Sequence, residues 1–401
     1  MHSFIGIIGV LVMMLLAWSI SENKKKMDMR VIGGGLALQC ILAIIVLKTD
    51  FGVAFFQYAN DTVLFVLSLS DQGAKFVFGN VYQEHFFAFK VLPTIIFVSS
   101  LSYCLFYLGV MQKIVAGMGY VMVRVMNISG SESLVAAANV FCGQTEAPLF
   151  VKPYLKSMTR SEITSMMTSG MATVAGGVMA AFVGLGISAG HLLAASIMSA
   201  PAAVLIAKII CPETEESPTK GRVKVKMESD DVNLLDAACR GASDGLLLAL
   251  NVGAMLIAVI ALVALLNAII GQVAGLFGVS LTFEEILGFF FWPLAFFMGI
   301  PWAECEAVGR LLGEKMVLNE FIAYIHLSEM IKEGALSERS ISIATYALCG
   351  FANFSSIAIQ IGGIGKLEPG RKKDFAKMGL KAMIGGSLAA FMTACIAGIL
   401  I

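Results

Sequence analysis

Ala136-Ala137-Ala138-Asn139-Val140-Phe141-Cys142-Gly143-Gln144-Thr145-Glu146-Ala147-Pro148-Leu149-Phe150 decides the fold. It places one carboxylate and three other polar side chains inside a run otherwise apolar enough to sit in lipid. An apolar arm leads in to Cys142, Gly143 permits a break, Pro148 suits the first turn of a new helix, and an apolar arm leads out. Neither arm is long enough to cross a bilayer alone. The stretch therefore predicts a re-entrant hairpin whose polar tip sits at mid-membrane, where irregular backbone is tolerated only against protein or a water-filled cavity.

Composition agrees with that reading. Of 401 residues, 58% are hydrophobic and 14% charged, and the apolar residues fall in long blocks, which predicts an all-α polytopic membrane protein. The net charge is zero, so nothing points to nucleic acid as a partner. Eight cysteines are scattered singly and never as Cys-x-x-Cys, which argues against a disulfide framework or a zinc site. His2, His85, His191 and His326 show no metal spacing, and His85 and His326 read as solvated loop histidines.

Eight transmembrane helices are predicted, over 4–20, 31–48, 91–110, 162–187, 190–211, 242–270, 340–362 and 377–400, each near the ~20 residues a hydrocarbon core requires. The basic clusters Lys24–Lys25–Lys26 with Arg30, Lys220 with Arg222, Lys224 and Lys226, and Lys366 with Arg371, Lys372 and Lys373 fall on one side if the hairpins do not cross. By the positive-inside rule both termini then face outward.

A second hairpin is predicted from Pro301 onward, with Asn319-Glu320 as its polar-acidic tip. Glu304 and Glu306 at its start fit either a gating or ion-coupling role or a helix-start charge meeting the dipole. Each hairpin precedes a span with an interruption, Ser169–Gly177 in one and Gly350–Ser356 in the other. Three spans separate the hairpins, so they insert from opposite sides. The result is an inverted repeat with discontinuous helices, whose freed backbone groups can hold an ion or a polar solute.

The predicted organisation puts N-terminal helices and an external linker, peripheral or scaffold, at 1–90, and a scaffold helix with an interfacial helix at 91–126. The first hairpin and broken helix occupy 127–187, scaffold helices and a second interfacial helix 188–300, the second hairpin and broken helix 301–365, and a last transmembrane helix 366–401.

Gly143-Gln144-Thr145-Glu146-Ala147-Pro148, Gly313-x-Lys315 with Asn319-Glu320-Phe321-Ile322-Ala323-Tyr324, and Phe351-Ala352-Asn353-Phe354-Ser355-Ser356 together resemble the motifs of the concentrative nucleoside transporters, in particular the sodium-coupled branch. The resemblance covers about 90–401 closely and the first two helices by hydropathy only. It implies a bacterial inner-membrane homotrimer in which the two hairpin regions, 127–187 and 301–365, form a transport domain that moves against a scaffold, carrying nucleoside and sodium together by an elevator-type alternating-access mechanism, with no cofactor besides the coupling ion. It implies that Gln144, Thr145 and Glu146 meet the base, that Val178 lines its pocket, and that Glu320, Asn353 and Ser356 hold ribose hydroxyls beside Phe351. Sodium would map to the side chains of Asn139 and Thr173 and the carbonyls of Cys142 and Val174. The family site has Ser where this chain has Thr173, which retains the hydroxyl oxygen.

The chemistry of these side chains is compatible with that assignment. A carboxylate and an amide can clamp vicinal hydroxyls, and a glutamine can match donor and acceptor on a base edge. In a dry site the penalty for unpaired groups rejects analogues that lack them. Hard oxygen ligands without thiolate or imidazole suit sodium rather than a transition metal. The expected substrate is uridine or another pyrimidine nucleoside, with some purine tolerance. The alternatives are a proton-coupled carrier in which Glu146 or Glu320 titrates and, in another class, an intramembrane hydrolase. For the latter the sequence offers no His-Glu-x-x-His, no Gly-x-Ser-x-Gly and no paired Asp motif in a span.

Overall fold

The computed structural model describes residues 2–79, 87–221 and 231–401; His85, Arg222, Lys224 and Lys226 lie outside them. The described chain is helical, and its β-type pairing is one isolated bridge between Ser129 and Lys220. Apolar helices α1 (His2–Ser19) and α2 (Met29–Lys48) lead into α3 (Asp50–Phe78), α4 (Leu92–Tyr107) and the amphipathic α5 (Val110–Met126). Then comes the first predicted hairpin. Its leading arm is α6 (Gly130–Ala138), and its trailing arm is a run of 3₁₀ turns over Ala147–Ser157 rather than an α-helix. Pro148 at the start and Pro153 inside that arm remove two amide donors, which favours the tighter, interrupted form.

The first broken span is α7 (Arg160–Ala172) and α8 (Gly176–Gly184), followed by α9 (Ala189–Ile210) and the long α10 (Leu234–Gly275). After α11 (Phe283–Phe297) comes the second hairpin, α12 (Cys305–Val317) and α13 (Glu320–Glu333). Its broken span follows as α14 (Glu338–Leu348) and α15 (Phe354–Leu367), and α16 (Lys372–Leu400) closes the chain. Hairpin, broken helix and continuous helix thus occur twice in the same order. The first interruption, at residues 173–175, falls inside its predicted stretch, and the second, at 349–353, begins one residue before its own.

Among the described residues, seven helices are long and apolar enough to cross a membrane by length and composition, and α1 is a shorter apolar one. This set differs from the eight predicted spans in two places. The span predicted over 340–362 is split into two short helices, and residues 50–78, read from sequence as linker, form a continuous helix. The contacts of α3 explain the second difference. Thr49 Oγ1 donates to Ile45 O at the end of α2, Asn60 Oδ1 accepts from Ala189 N at the start of α9, and Ser70 Oγ meets Thr94 Oγ1 at the start of α4. Asp71 also pairs with Lys90 at 3.4 Å. The opposite end of α9 is held by Glu22 N donating to Ile210 O. Successive turns of α3 therefore touch helix ends at one end of the bundle, and α3 runs across that end instead of alongside the spans.

Small residues set the close packing, as expected where apolar surroundings give helices no hydrophobic reason to associate. The α4/α10 pair meets at Gly241 and Gly245, where an added Cβ would come within 2.8 Å of Ser100 and Ile96 respectively. The two interruptions also touch: Gly350, at φ +116°, lies so close that a Cβ would come 2.6 Å from Met171 O. Only glycine adopts that backbone and admits that approach without strain.

Candidate binding site at the two hairpin tips

The base of the first hairpin is fixed by side chains around its helix starts. Ser129 caps α6 in a reciprocal pair with Glu132, and Thr159 caps α7 in the same way with Glu162. Lys208 Nζ then pairs with Glu132 at 2.6 Å and Glu213 at 3.1 Å, and Glu162 accepts from Ser131 and Ser217. The tip is pinned to the first interruption where Gly176 N donates to Phe141 O at 3.0 Å.

At the first tip, Glu146 turns back so that its Oε2 accepts from Gly143 N at 3.0 Å. Gln144 reaches across to the second broken helix, and its Nε2 donates to Ser356 Oγ at 3.1 Å. Gln144 Oε1 is buried without a partner. At the second tip Asn319 caps α13 by accepting from Ile322 N, which sets Glu320 in the helix's first turn. Asn353 caps α15 by accepting from Ser356 N, and its Nδ2 donates to Glu320 Oε2 at 2.8 Å. The acceptor that caps the helix thus leaves the amide group free to fix the carboxylate.

A cavity of about 690 Å³ lies between these groups, within the ~300–1,000 Å³ usual for small-molecule sites. All eight side chains expected to meet the solute, Gln144, Thr145, Glu146, Val178, Glu320, Phe351, Asn353 and Ser356, line it. Its opposite wall comes from α4 and α10 and includes Tyr103, Leu247, Asn251 and Met255. Sequence reading missed that wall: Asn251 is a lone amide in a long apolar run, with no helix break or tip motif beside it. Tyr103 donates to Asp244 Oδ2 at 2.5 Å and closes that wall toward the start of α10.

The four positions expected to hold sodium sit at the first interruption and beside it. Asn139 is 1% exposed, caps the end of α6, and has neither Oδ1 nor Nδ2 hydrogen-bonded to protein. Thr173 Oγ1 donates its hydrogen to Ser169 O at 3.0 Å, which leaves its oxygen lone pairs as acceptors. Cys142 carries its N–H to Ala138 O, and Val174 is fully buried. An orphaned buried amide, a hydroxyl acting as acceptor and carbonyls at a helix break suit a hard monovalent cation.

Other expectations resolve differently. Glu304 accepts from the N–H and Oγ of Ser337 and so ties the second hairpin to the start of α14; neither it nor the exposed Glu306 lines the cavity. His326 is not in a loop: it lies in α13, and its Nδ1 is 2.8 Å from the buried Glu314. His191 meets Tyr346 OH at 3.3 Å.

Comparison with known proteins places this geometry. Residues 8–81, 88–189 and 191–398 match the models for the Na+ dependent nucleoside transporter N-terminus, nucleoside recognition (gate), and the Na+ dependent nucleoside transporter C-terminus. Solute carrier family 28 member 3 of Mus musculus is 43% identical over 98% of this chain and 58% of its own length. The chain thus spans under three-fifths of the length of that mammalian relative. An uncharacterized transporter of Bacillus subtilis, YutK, is also 43% identical, over 99% of each chain. The solved structure of CNTnw in an inward-facing substrate-bound state is 40% identical, with a TM-score of 0.93 over all of this chain and 98% of the other. These relatives are transporters rather than enzymes. The polytopic all-helical membrane chain described above belongs to the family of Na+-dependent, concentrative nucleoside transporters.

Proposed function

We propose that this chain is a secondary active symporter that takes up nucleosides, with uridine and other pyrimidine nucleosides preferred, coupled to the sodium gradient. The observation that carries the reading is the convergence of two hairpin tips and two broken helices on one cavity, with Glu320 held by Asn353 and Gln144 by Ser356. In this reading the Glu320–Asn353 pair receives the ribose hydroxyls, Phe351 packs beside them, and Gln144, Thr145 and Glu146 meet the base over Val178. The unpartnered Gln144 Oε1 supplies an acceptor for a base N–H. Sodium at Asn139, Thr173 and the carbonyls of Cys142 and Val174 would brace the first tip against α7 and α8, so that the ion and the nucleoside would favour each other's binding.

The packing supports an elevator. One wall of the cavity is the body that carries both tips, and the other is the α4/α10 pair, so sliding the body along that pair would carry the solute across. From sequence, 1–90 reads as peripheral or scaffold and 188–300 as scaffold helices with an interfacial helix. The contacts favour grouping α1, α2, α9 and α16 with the moving body: Gln39 Nε2 donates to Thr393 Oγ1, Ser199 Oγ meets Thr393 Oγ1, and Glu22 pairs with Arg160 and Lys381. With α3 lying across one end, the spans keep the alternation that puts both termini outside the inner membrane of a bacterium. The large exposed apolar face of α10 would be covered by lipid and by other copies in a homotrimer.

Labelled uridine uptake into proteoliposomes tests the proposal. An inward sodium gradient should drive accumulation above equilibrium, and uptake indifferent to replacing sodium by choline at constant pH would overturn sodium coupling.

A further inference from the structure

The two broken helices end differently. At the end of α7 there is no basic residue in the last turn, and among the described residues no side-chain donor reaches the carbonyls of 172–174. The nearby hairpin contributes a neutral amide, Asn139, whose polar atoms find no protein partner. At the end of α14 the second hairpin instead contributes Lys315. Its Nζ donates to Ala347 O at 2.8 Å and to Cys349 O at 3.2 Å, the last carbonyls of that half-helix. Nζ also lies 5.5 Å from the centre of the Phe391 ring.

Lys315 is fully buried, and among the described residues no carboxylate pairs with it. An ammonium placed there is costly to desolvate. What offsets the cost is the negative end of α14 and its unpaired carbonyls, together with the face of an aromatic ring and the charge of the Glu320 carboxylate, which acts on it without a salt bridge. A hydrophobic side chain would fill the space without that penalty, so the charge itself points to a role.

Both residues lie at the end of the leading arm of a hairpin, Asn139 just past α6 and Lys315 within the last turn of α12. The first tip meets its interruption through Gly176 N and Phe141 O, and the second through Lys315. We propose that Lys315 is a tethered cation, the protein's own counterpart in the second repeat of the sodium ion in the first. It is a positioning residue: by holding the carbonyls of Ala347 and Cys349 it fixes the interruption that presents Phe351 and Asn353, and through Asn353 it fixes Glu320. The second interruption consequently takes no cation from solution. This inference rests on the sodium reading of the first interruption, and the tests below separate the two.

The variant Lys315→Gln keeps hydrogen-bond donors and removes the charge, whereas Lys315→Arg keeps the charge. At fixed sodium the glutamine variant should bind uridine about tenfold more weakly or worse, and the arginine variant should retain most of the affinity. In Lys315→Ala the vacated position should admit a cation: the sodium dependence of uridine binding should become steeper than in the wild type, and added methylammonium should restore affinity. A glutamine or alanine variant with wild-type affinity and wild-type sodium dependence would overturn the proposal. The wild-type protein supplies a test that does not depend on any variant folding. Crystals soaked in thallium(I) as a sodium surrogate should show anomalous density at Asn139 and none at the end of α14. Density beside Ala347 and Cys349 would overturn the tethered cation, whereas absence of density at Asn139 would instead overturn the sodium site.

Discussion

Gln144 Nε2 and Ser356 Oγ, 212 residues apart in the chain, are joined by a 3.1 Å hydrogen bond. This single contact links the tip of the first hairpin to the first turn of α15 in the second broken helix. Because Ser356 N donates to Asn353 Oδ1 and Asn353 Nδ2 donates to Glu320, the contact also connects the first tip to the second.

Removing either partner should weaken binding. Gln144→Ala and Ser356→Ala should each lower uridine affinity by about tenfold, the worth of a buried hydrogen bond whose partner is stranded. The double variant should cost less than the sum, because the two side chains share one interaction. Binding isotherms on the three purified variants check this, and additive losses would mean that the pair does not act as a unit.

Glu320→Gln should leave the fold intact, since glutamine can still accept from Asn353, yet reduce uridine affinity by about 10- to 100-fold through loss of a charged acceptor for ribose hydroxyls. The penalty should be much smaller for 2′- and 3′-deoxynucleosides, which offer one hydroxyl fewer. Competition of analogues against labelled uridine in wild type and variant reads this directly, and equal penalties would remove Glu320 from the sugar.

Gly350→Ala should destabilise the protein by roughly 1–3 kcal/mol from the left-handed backbone alone, with more from the contact with Met171 O, which a Cβ would meet at 2.6 Å. A lowered thermal midpoint in detergent checks it. Unchanged stability would mean that the two interruptions are not in close contact.

Glu22 accepts from Lys381 Nζ at 2.6 Å and from Arg160 Nη2 at 2.7 Å in the link between α1 and α2. Burial pushes its carboxyl upward, but the hydrogen bond and charge of Lys381 and the charge of Arg160 outweigh that and hold it below its ordinary value of 4.5. A carboxyl depressed in the folded state stabilises fully above its unfolded value and loses that contribution as pH falls through its folded value. Thermal stability should therefore drop below about pH 4.5 by less in Glu22→Gln than in wild type. Parallel pH profiles would show that the latch contributes nothing.

Much of the site was legible before the structure, because a carboxylate or amide in an apolar run is expensive and therefore informative. Glu146, Glu320 and Asn353 announced themselves in this way, and glycine- and serine-rich sequence marked both helix interruptions. Three features were not legible. Residues 50–78 carry Asp50, Asp61, Asp71 and Lys75 among apolar side chains, and only their contacts with three helix ends show that this helix runs across the bundle. Tyr103, Asn251 and Met255 lie in spans without local irregularity, so their place in the cavity wall depends on how α4 and α10 pack. Lys315 could be read as part of a motif, but its partners are the carbonyls of a helix end more than thirty residues away, and backbone acceptors leave no mark in a sequence.

The most direct measurement is the position of bound uridine in a structure determined with sodium. The ribose hydroxyls should lie within hydrogen-bond distance of Glu320 and Asn353, and the uracil edge should face Gln144 and Glu146 over Val178. Density for the nucleoside outside the cavity between the tips, or with its sugar at Gln144 and its base at Glu320, would contradict the account.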